Sequence, residues 1–267
     1  MDYEQILTET RDRVGVIRLN RPAKLNAWTA RMGEEIQDQI RRWNDDPAIG
    51  AIVLIGEGRA FCAGADIGGF AERAERNAQG SGEARGRGGY SFTHFLRRSK
   101  PTVAAINGYA AGIGLTLALP CDVRIASNTA RLSIRFIKMG LIPELGSTRL
   151  LAQIVGLGNA TEMCLTGRFV EAEEALRIGL VSQVVPGDQL LDAAVAKASE
   201  IANNPTDAVM MIKELLAKNP TDPDLDAVME REQTRDEIAR RLPDHREAIA
   251  AFREKREARF NQQAVGV

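Results

Sequence analysis

Ala60-Phe61-Cys62-Ala63-Gly64-Ala65-Asp66-Ile67 and, further along, Asn107-Gly108-Tyr109-Ala110-Ala111-Gly112-Ile113-Gly114 are the two segments around which this chain of 267 residues is organised. Each follows an apolar run, Ala51 to Ile55 or Thr102 to Ile106, that reads as a buried strand. Both then turn through small residues. Two such turns can aim two peptide N–H groups at one carbonyl oxygen with no side chain in the way. The unit of apolar strand, glycine-bearing loop and helix recurs at Val123 to Ala126, which predicts βαβ-type crossovers and an α/β core.

Outward from these segments, Ile6 to Thr8 and Val14 to Leu19 predict an opening hairpin. Thr29 can cap a helix running to about Trp43, whose apolar face is Met32, Ile36, Ile40 and Trp43. From Glu72 to Tyr90 the glycines at 80, 82, 86, 88 and 89 predict a mobile surface loop rather than a helix. Past Val185 four helical segments follow, broken at Asn204-Pro205, Asn219-Pro220 and Leu242-Pro243. Their stripes, Leu190, Leu191, Val195, Ala198 and Ile201, then Val209, Ile212, Leu215 and Leu216, need something to pack on, a partner subunit being one candidate.

With 35 basic and 36 acidic residues there is no net field to attract a phosphate backbone, so nucleic acid is not an expected partner. Cys62, Cys121 and Cys164 form neither a C-x-x-C pair nor a metal-ligand cluster, and they read as reduced thiols of a cytoplasmic protein. The first residues are too charged for a signal peptide. Pro101 to Cys121 is long and uncharged enough to suggest a membrane span, yet Asn107, three glycines and Pro120 fit a buried strand, loop and helix better. The Gly112-x-Gly114 pair has Leu117 where a dinucleotide fingerprint requires a third glycine.

Taken with Arg18-Leu19-Asn20-Arg21-Pro22, Lys24-Leu25-Asn26-Ala27, Lys100-Pro101, Cys121-Asp122, Gly140-Leu141-Ile142-Pro143 and Leu165-Thr166-Gly167-Arg168, the two segments resemble the crotonase superfamily, also called the enoyl-CoA hydratase/isomerase family. Practically the whole chain is covered. The resemblance implies an α/β fold with a ββα spiral core over residues 1–195 and a helical region over 196–267 used for assembly into a homotrimer or a dimer of trimers. It implies acyl-CoA thioester substrates and no separate cofactor, coenzyme A being part of the substrate. The oxyanion donors would be the N–H groups of Ala65 and Ile113, flanked by Gly64 and Gly112. Lys24, Ala27, Ala63, Asp66 and Ile67 would line the coenzyme A path, and Phe252 and Lys255 would reach a neighbouring subunit's coenzyme A.

Family hydratases use two glutamates, and this chain has Thr116 and Phe136 at those positions, neither able to act as a general acid or base near neutral pH. Glu144, eight residues beyond Phe136, matches the place where enoyl-CoA isomerases keep their acting carboxylate. Its neighbours Pro143 and Leu145 predict partial desolvation, and it stands just ahead of a helix expected to start near Ser147, where a glutamate can equally serve the helix end. Three readings follow: an isomerase in which Glu144 carries a proton, a hydratase working with that one glutamate, and a non-catalytic acyl-CoA-binding relative. Cys62, His94 and His245 lack the partners of a hydrolase triad, and Asp66 and Asp122 are expected to make fold-forming hydrogen bonds.

Overall fold

The structure, a computed structural model, describes residues 3–66, Gly68 and residues 88–262. The hairpin forms as the sequence predicts. Strands β1 (Ile6–Arg11) and β2 (Val14–Leu19) pair antiparallel. Beyond them β3 (Ala51–Gly56), β5 (Thr102–Ile106), β7 (Val123–Ser127) and β10 (Gln183–Val185) add in parallel, giving a six-stranded sheet in the order β1-β2-β3-β5-β7-β10. A second sheet has the order β4-β6-β8-β9, from β4 (Ala60–Cys62), β6 (Tyr109–Ala111), β8 (Arg131–Ser133) and β9 (Val170–Glu171). Successive strands therefore alternate between the sheets: β3 then β4, β5 then β6, β7 then β8. That alternation is the spiral the resemblance implies.

Both faces of the larger sheet are covered, which is why its inner strands are apolar without interruption. On one face Ile17, Ile52, Leu54, Ala104 and Ile106 join the main core with α1 (Ala30–Asp45) and α4 (Ser147–Thr166). Thr29 caps α1, its hydroxyl accepting from the Met32 N–H at 3.1 Å. On the other face Val14, Val53, Ile55, Val103 and Ile125 pack against α6 (Leu190–Ala202) through Leu190, Ala194, Ala198 and Ala202. The fully buried stripe of α6 thus runs at four-residue steps, and Leu191, Val195 and Ile201 lie beside it, half-buried. The division at residues 195/196 falls inside this helix, whose later turns are still sheet-packed.

The remaining helices are α2 (Gly88–Arg98), α3 (Ile113–Ala118), α5 (Ala172–Arg177), α7 (Thr206–Lys218), α8 (Leu225–Ala239) and α9 (Pro243–Glu254). One expectation changes here. Gly88 to Tyr90, assigned to a surface loop, form the first turn of α2, while residues 72–87 lie outside the described residues. In the stripe of α7, Val209 and Leu215 are half-buried while Ile212 and Leu216 are exposed, a face this chain leaves partly uncovered. Lys213 fastens the helix. It is buried, and its ammonium donates to the Leu96 and Lys100 carbonyls at 3.0 and 3.4 Å and to Asp122 Oδ2 at 2.7 Å. Asp122 Oδ2 also accepts from the Thr102 N–H at 2.7 Å, so this carboxylate has the fold-forming role expected of it. Among the described residues no helix is long and apolar enough to cross a membrane.

Candidate functional site

Three neighbouring parallel strands of the smaller sheet, β4, β6 and β8, end on the same side, and each passes into a loop that carries part of the candidate site. The first loop is Ala63 to Asp66. The Ala63 N–H donates to the Leu25 carbonyl at 3.0 Å, the Trp28 N–H to Gly64 at 2.8 Å, and the Asp66 N–H to Trp28 at 3.0 Å. Trp28 and Ala65 so form a parallel bridge. In that pattern Trp28 uses the groups on either side of Ala65, and the N–H of Ala65 itself faces the other way. The other way is the side on which β6 pairs with β4.

The second loop turns at Gly112 into α3. Gly112 has φ 54° and ψ −123°, a backbone region open to glycine and costly for other residues. Gly114 answers a different need, since a Cβ there would lie 1.9 Å from the Cys62 carbonyl oxygen, so only glycine lets α3 approach the end of β4. The Gly112 N–H donates to Ser133 on β8 at 2.9 Å. Ile113, the first residue of α3, has an N–H with no intrahelical acceptor by position. Among the described residues, neither the Ala65 nor the Ile113 N–H finds a protein acceptor. Two orphan donors therefore stand on adjacent loops. The Thr116 hydroxyl is fully buried and donates to the Ile113 carbonyl at 3.2 Å, which fixes the same turn from below.

The third loop leaves β8 through a short 3-10 helix, Arg135–Met139, and runs to Gly146. Phe136, Ile113 and Leu145 are half-buried against the main core. Glu144 is half-buried, and its carbonyl accepts from the Ser147 N–H at 3.1 Å, closing the turn that starts α4. Thr93 of α2 holds the next residue, its hydroxyl donating to the Leu145 carbonyl at 2.9 Å. Ser147 itself is buried, and its hydroxyl finds no partner among the described residues. An unmade buried hydrogen bond costs about 1–3 kcal/mol. Ser147→Ala is therefore expected to raise the melting temperature by a few degrees in a thermal unfolding scan, and an unchanged or lower value would show that the hydroxyl is satisfied.

Charges around the first loop are used for structure. Arg21 donates to Asp66 Oδ2 at 2.7 Å and the Gly68 N–H donates to Oδ1 at 3.1 Å. Arg21 first, and the Gly68 amide next, hold the Asp66 carboxyl below the usual carboxylate range. A carboxylate held low in the folded state stabilises it above the unfolded value, about 3.9 for Asp, and loses that contribution as pH falls through the lowered value. The protection factors of the Trp28 and Asp66 amides, which divide out the intrinsic pH dependence of exchange, are accordingly expected to stay high at neutral pH and to fall only on acidification below that range. An Asp66→Asn variant should show lowered protection factors throughout. Cys62 is buried, and burial pushes its thiol up to about 11, so it is no nucleophile at neutral pH. No cluster of metal ligands occurs among the described residues.

Comparison with known proteins agrees with this architecture. The family model described as "Enoyl-CoA hydratase/isomerase" matches residues 9–263. The chain belongs to the enoyl-CoA hydratase/isomerase family. Among members of that family, a "Probable enoyl-CoA hydratase" of Rhizobium meliloti is 39% identical over 265 residues, covering 97% of this chain and 99% of the relative. The 1,2-epoxyphenylacetyl-CoA isomerase of Escherichia coli is 35% identical over 265 residues, covering 96% and 98%. The crystal structure of an enoyl-CoA hydratase from Bacillus anthracis superposes with a TM-score of 0.89 at 32% identity, covering 97% and 100%.

Within this family member the site residues read from sequence divide into groups. Ala63, Gly64 and Ala65 share one loop with Asp66, tied by Arg21 to the loop that carries Lys24 and Ala27. Gly112, Ile113 and Thr116 form the second loop and its helix, and Phe136 and Glu144 lie on the third. Ile67 lies outside the described residues. Phe252 and Lys255 end α9, exposed, with Phe252 at 86%. Sequence reasoning assigned no role to Asn26, although it is buried and central. Its amide donates to the Glu57 and Ala60 carbonyls at 2.9 and 2.7 Å and its Oδ1 accepts from the Arg21 N–H at 2.8 Å. Asn107 likewise clips the β3–β4 turn, accepting from the Gly56 N–H and donating to the Gly58 carbonyl. Asparagines beside tight turns were the available signal for both.

Proposed function

We propose that this protein shifts the double bond of an enoyl-CoA, moving it from the 3 to the 2 position. The observation that carries the reading is the set of three loops leaving one end of the smaller sheet, two bearing peptide N–H groups with no acceptor among the described residues and the third bearing the half-buried residue Glu144. Placed on the thioester oxygen, the Ala65 and Ile113 amides stabilise the charge that develops there, each by about 3 kcal/mol. Glu144 takes the C2 proton, and the electron pair delocalises over the dienolate. The same carboxyl returns its proton to C4, so no atom is gained or lost. Thr116, its hydroxyl already engaged, and the aromatic Phe136 stand where hydratases hold a water, which favours a site that excludes one.

Lys24, Ala27, Ala63, Asp66 and Ile67 line the coenzyme A path in this reading, and no further cofactor takes part. The exposed Phe252 with Lys255 supports a homotrimer, or a dimer of trimers, in which α9 reaches a neighbour's coenzyme A, in a protein acting in the cytoplasm.

The names of several relatives, hydratases, favour a second reading in which Glu144 alone directs a water. The test is a comparison of rates on matched 2-enoyl and 3-enoyl thioesters. Migration of the 3-enoyl double bond faster than hydration of the 2-enoyl compound is the expected result. Hydration without migration would replace the isomerase reading with the second one, and no α-proton exchange on any acyl chain would leave a binding protein.

A further inference from the structure

Next to the Glu144 turn lies a cavity of about 1170 Å³ between α2, the start of α4, α7 and the end of α8. Pockets that enclose a whole small ligand usually measure about 300–1,000 Å³. A short acyl group would leave this one largely empty. Its apolar wall is formed by Leu145, the residue after Glu144, with Leu150, Met210 and Met211. Unbranched thioethers adapt to chains of varied shape.

The charges on its rim are unequal. Glu214 is already engaged by Lys218 and Arg235. Arg97 donates to the Ala217 carbonyl. Among the described residues, Arg98 and Arg149 line the cavity with no carboxylate partner, and besides the engaged Glu214 the acid lining it is Asp207. Gly146, the N-terminal cap of α4, also lines the cavity, and the helical segment that starts there and runs to the break at Gly156 (φ 76°, ψ 157°) adds partial positive charge beside Arg149. An apolar wall under a cationic rim fits an amphiphilic anion.

We infer that this cavity receives the far end of the acyl chain and that the chain ends in a carboxylate bound by Arg149 and Arg98, so that the substrate is the thioester of a dicarboxylic acid. The inference rests on the proposed role of Glu144 and deepens it by naming the substrate class. Guanidinium and carboxylate are matched in shape as well as charge.

The test measures binding with non-reacting saturated thioesters, so that it is independent of turnover. Adipoyl-CoA against hexanoyl-CoA, and sebacoyl-CoA against decanoyl-CoA, are titrated calorimetrically into the full chain and into an Arg98→Ala/Arg149→Ala variant. The expected result is that in at least one pair the dicarboxylic member binds about tenfold tighter, as a charged hydrogen bond provides, and that the double substitution removes the preference without weakening the neutral member. Equal or tighter binding of the neutral member in both pairs, or an equal loss for both members in the variant, overturns the proposal. Failure of the Glu144 reading would show instead as absent double-bond migration with this binding preference intact.

Discussion

Glu144→Gln is expected to slow double-bond migration by about 10²–10⁴-fold, the usual worth of a positioned general acid–base group. The substitution keeps the size of the side chain and takes away its ability to carry a proton. It leaves the turn in place, because that turn is closed by the Glu144 carbonyl and the Ser147 N–H, both of the main chain. Leu145 stays anchored to Thr93 by its own carbonyl. The loss should therefore fall on kcat, with acyl-CoA binding close to wild type, the signature of an interaction made in the transition state. A variant that isomerises at the wild-type rate would remove Glu144 from the mechanism. A variant that fails to bind the thioester would make Glu144 a binding residue.

The second large effect is expected from Ile113→Pro, which deletes one N–H and trims a half-buried side chain, a trimming that Ile113→Gly shares. Proline is accepted at the first position of a helix because the N–H it lacks has no intrahelical partner there. Ile113 holds that position in α3. A residue before proline is normally pushed out of the helical region by its Cβ, but Gly112 has none, and at φ 54° and ψ −123° it lies in the mirror image of the extended region proline prefers. The fold should survive. Loss of one oxyanion donor costs about 10²–10³-fold in kcat, and the thermal midpoint should move little. Ile113→Gly, which keeps the N–H, should keep most of the activity. Equal activity in the proline and glycine variants would show that the Ile113 amide does not hold the reacting oxygen.

Much of the framework was legible before folding. β3 and β5 are buried on both faces, so their sequences are apolar at consecutive positions and stand out against the loops. Thr29 and the prolines at 205 and 243 mark helix starts through local chemistry, a hydroxyl that accepts an N–H or a ring that has none. The glycines at 112 and 114 were visible as turn residues, but the reasons differ: the first is required by its own dihedral angles, the second by the carbonyl of Cys62, fifty-two residues earlier in the chain. Only the second reason needs the fold. The α7 stripe shows which face of that helix is apolar, but apolar spacing does not show whether a helix's own chain covers that face. A lysine reaching two carbonyls and Asp122 fastens that helix.

The sequence by itself determined the strand–loop–helix repeat, the absence of a carboxylate at both 116 and 136, and the presence of one at 144, because these depend on residue type and local spacing. Tertiary structure alone decided where the Ala65 N–H points, since that direction is set by a bridge to Trp28. It alone brought the loops after β4, β6 and β8 to one end of a sheet and left a cationic-rimmed cavity beside Glu144. These are relations between residues far apart in the chain, fixed by pairing and packing that no local pattern encodes.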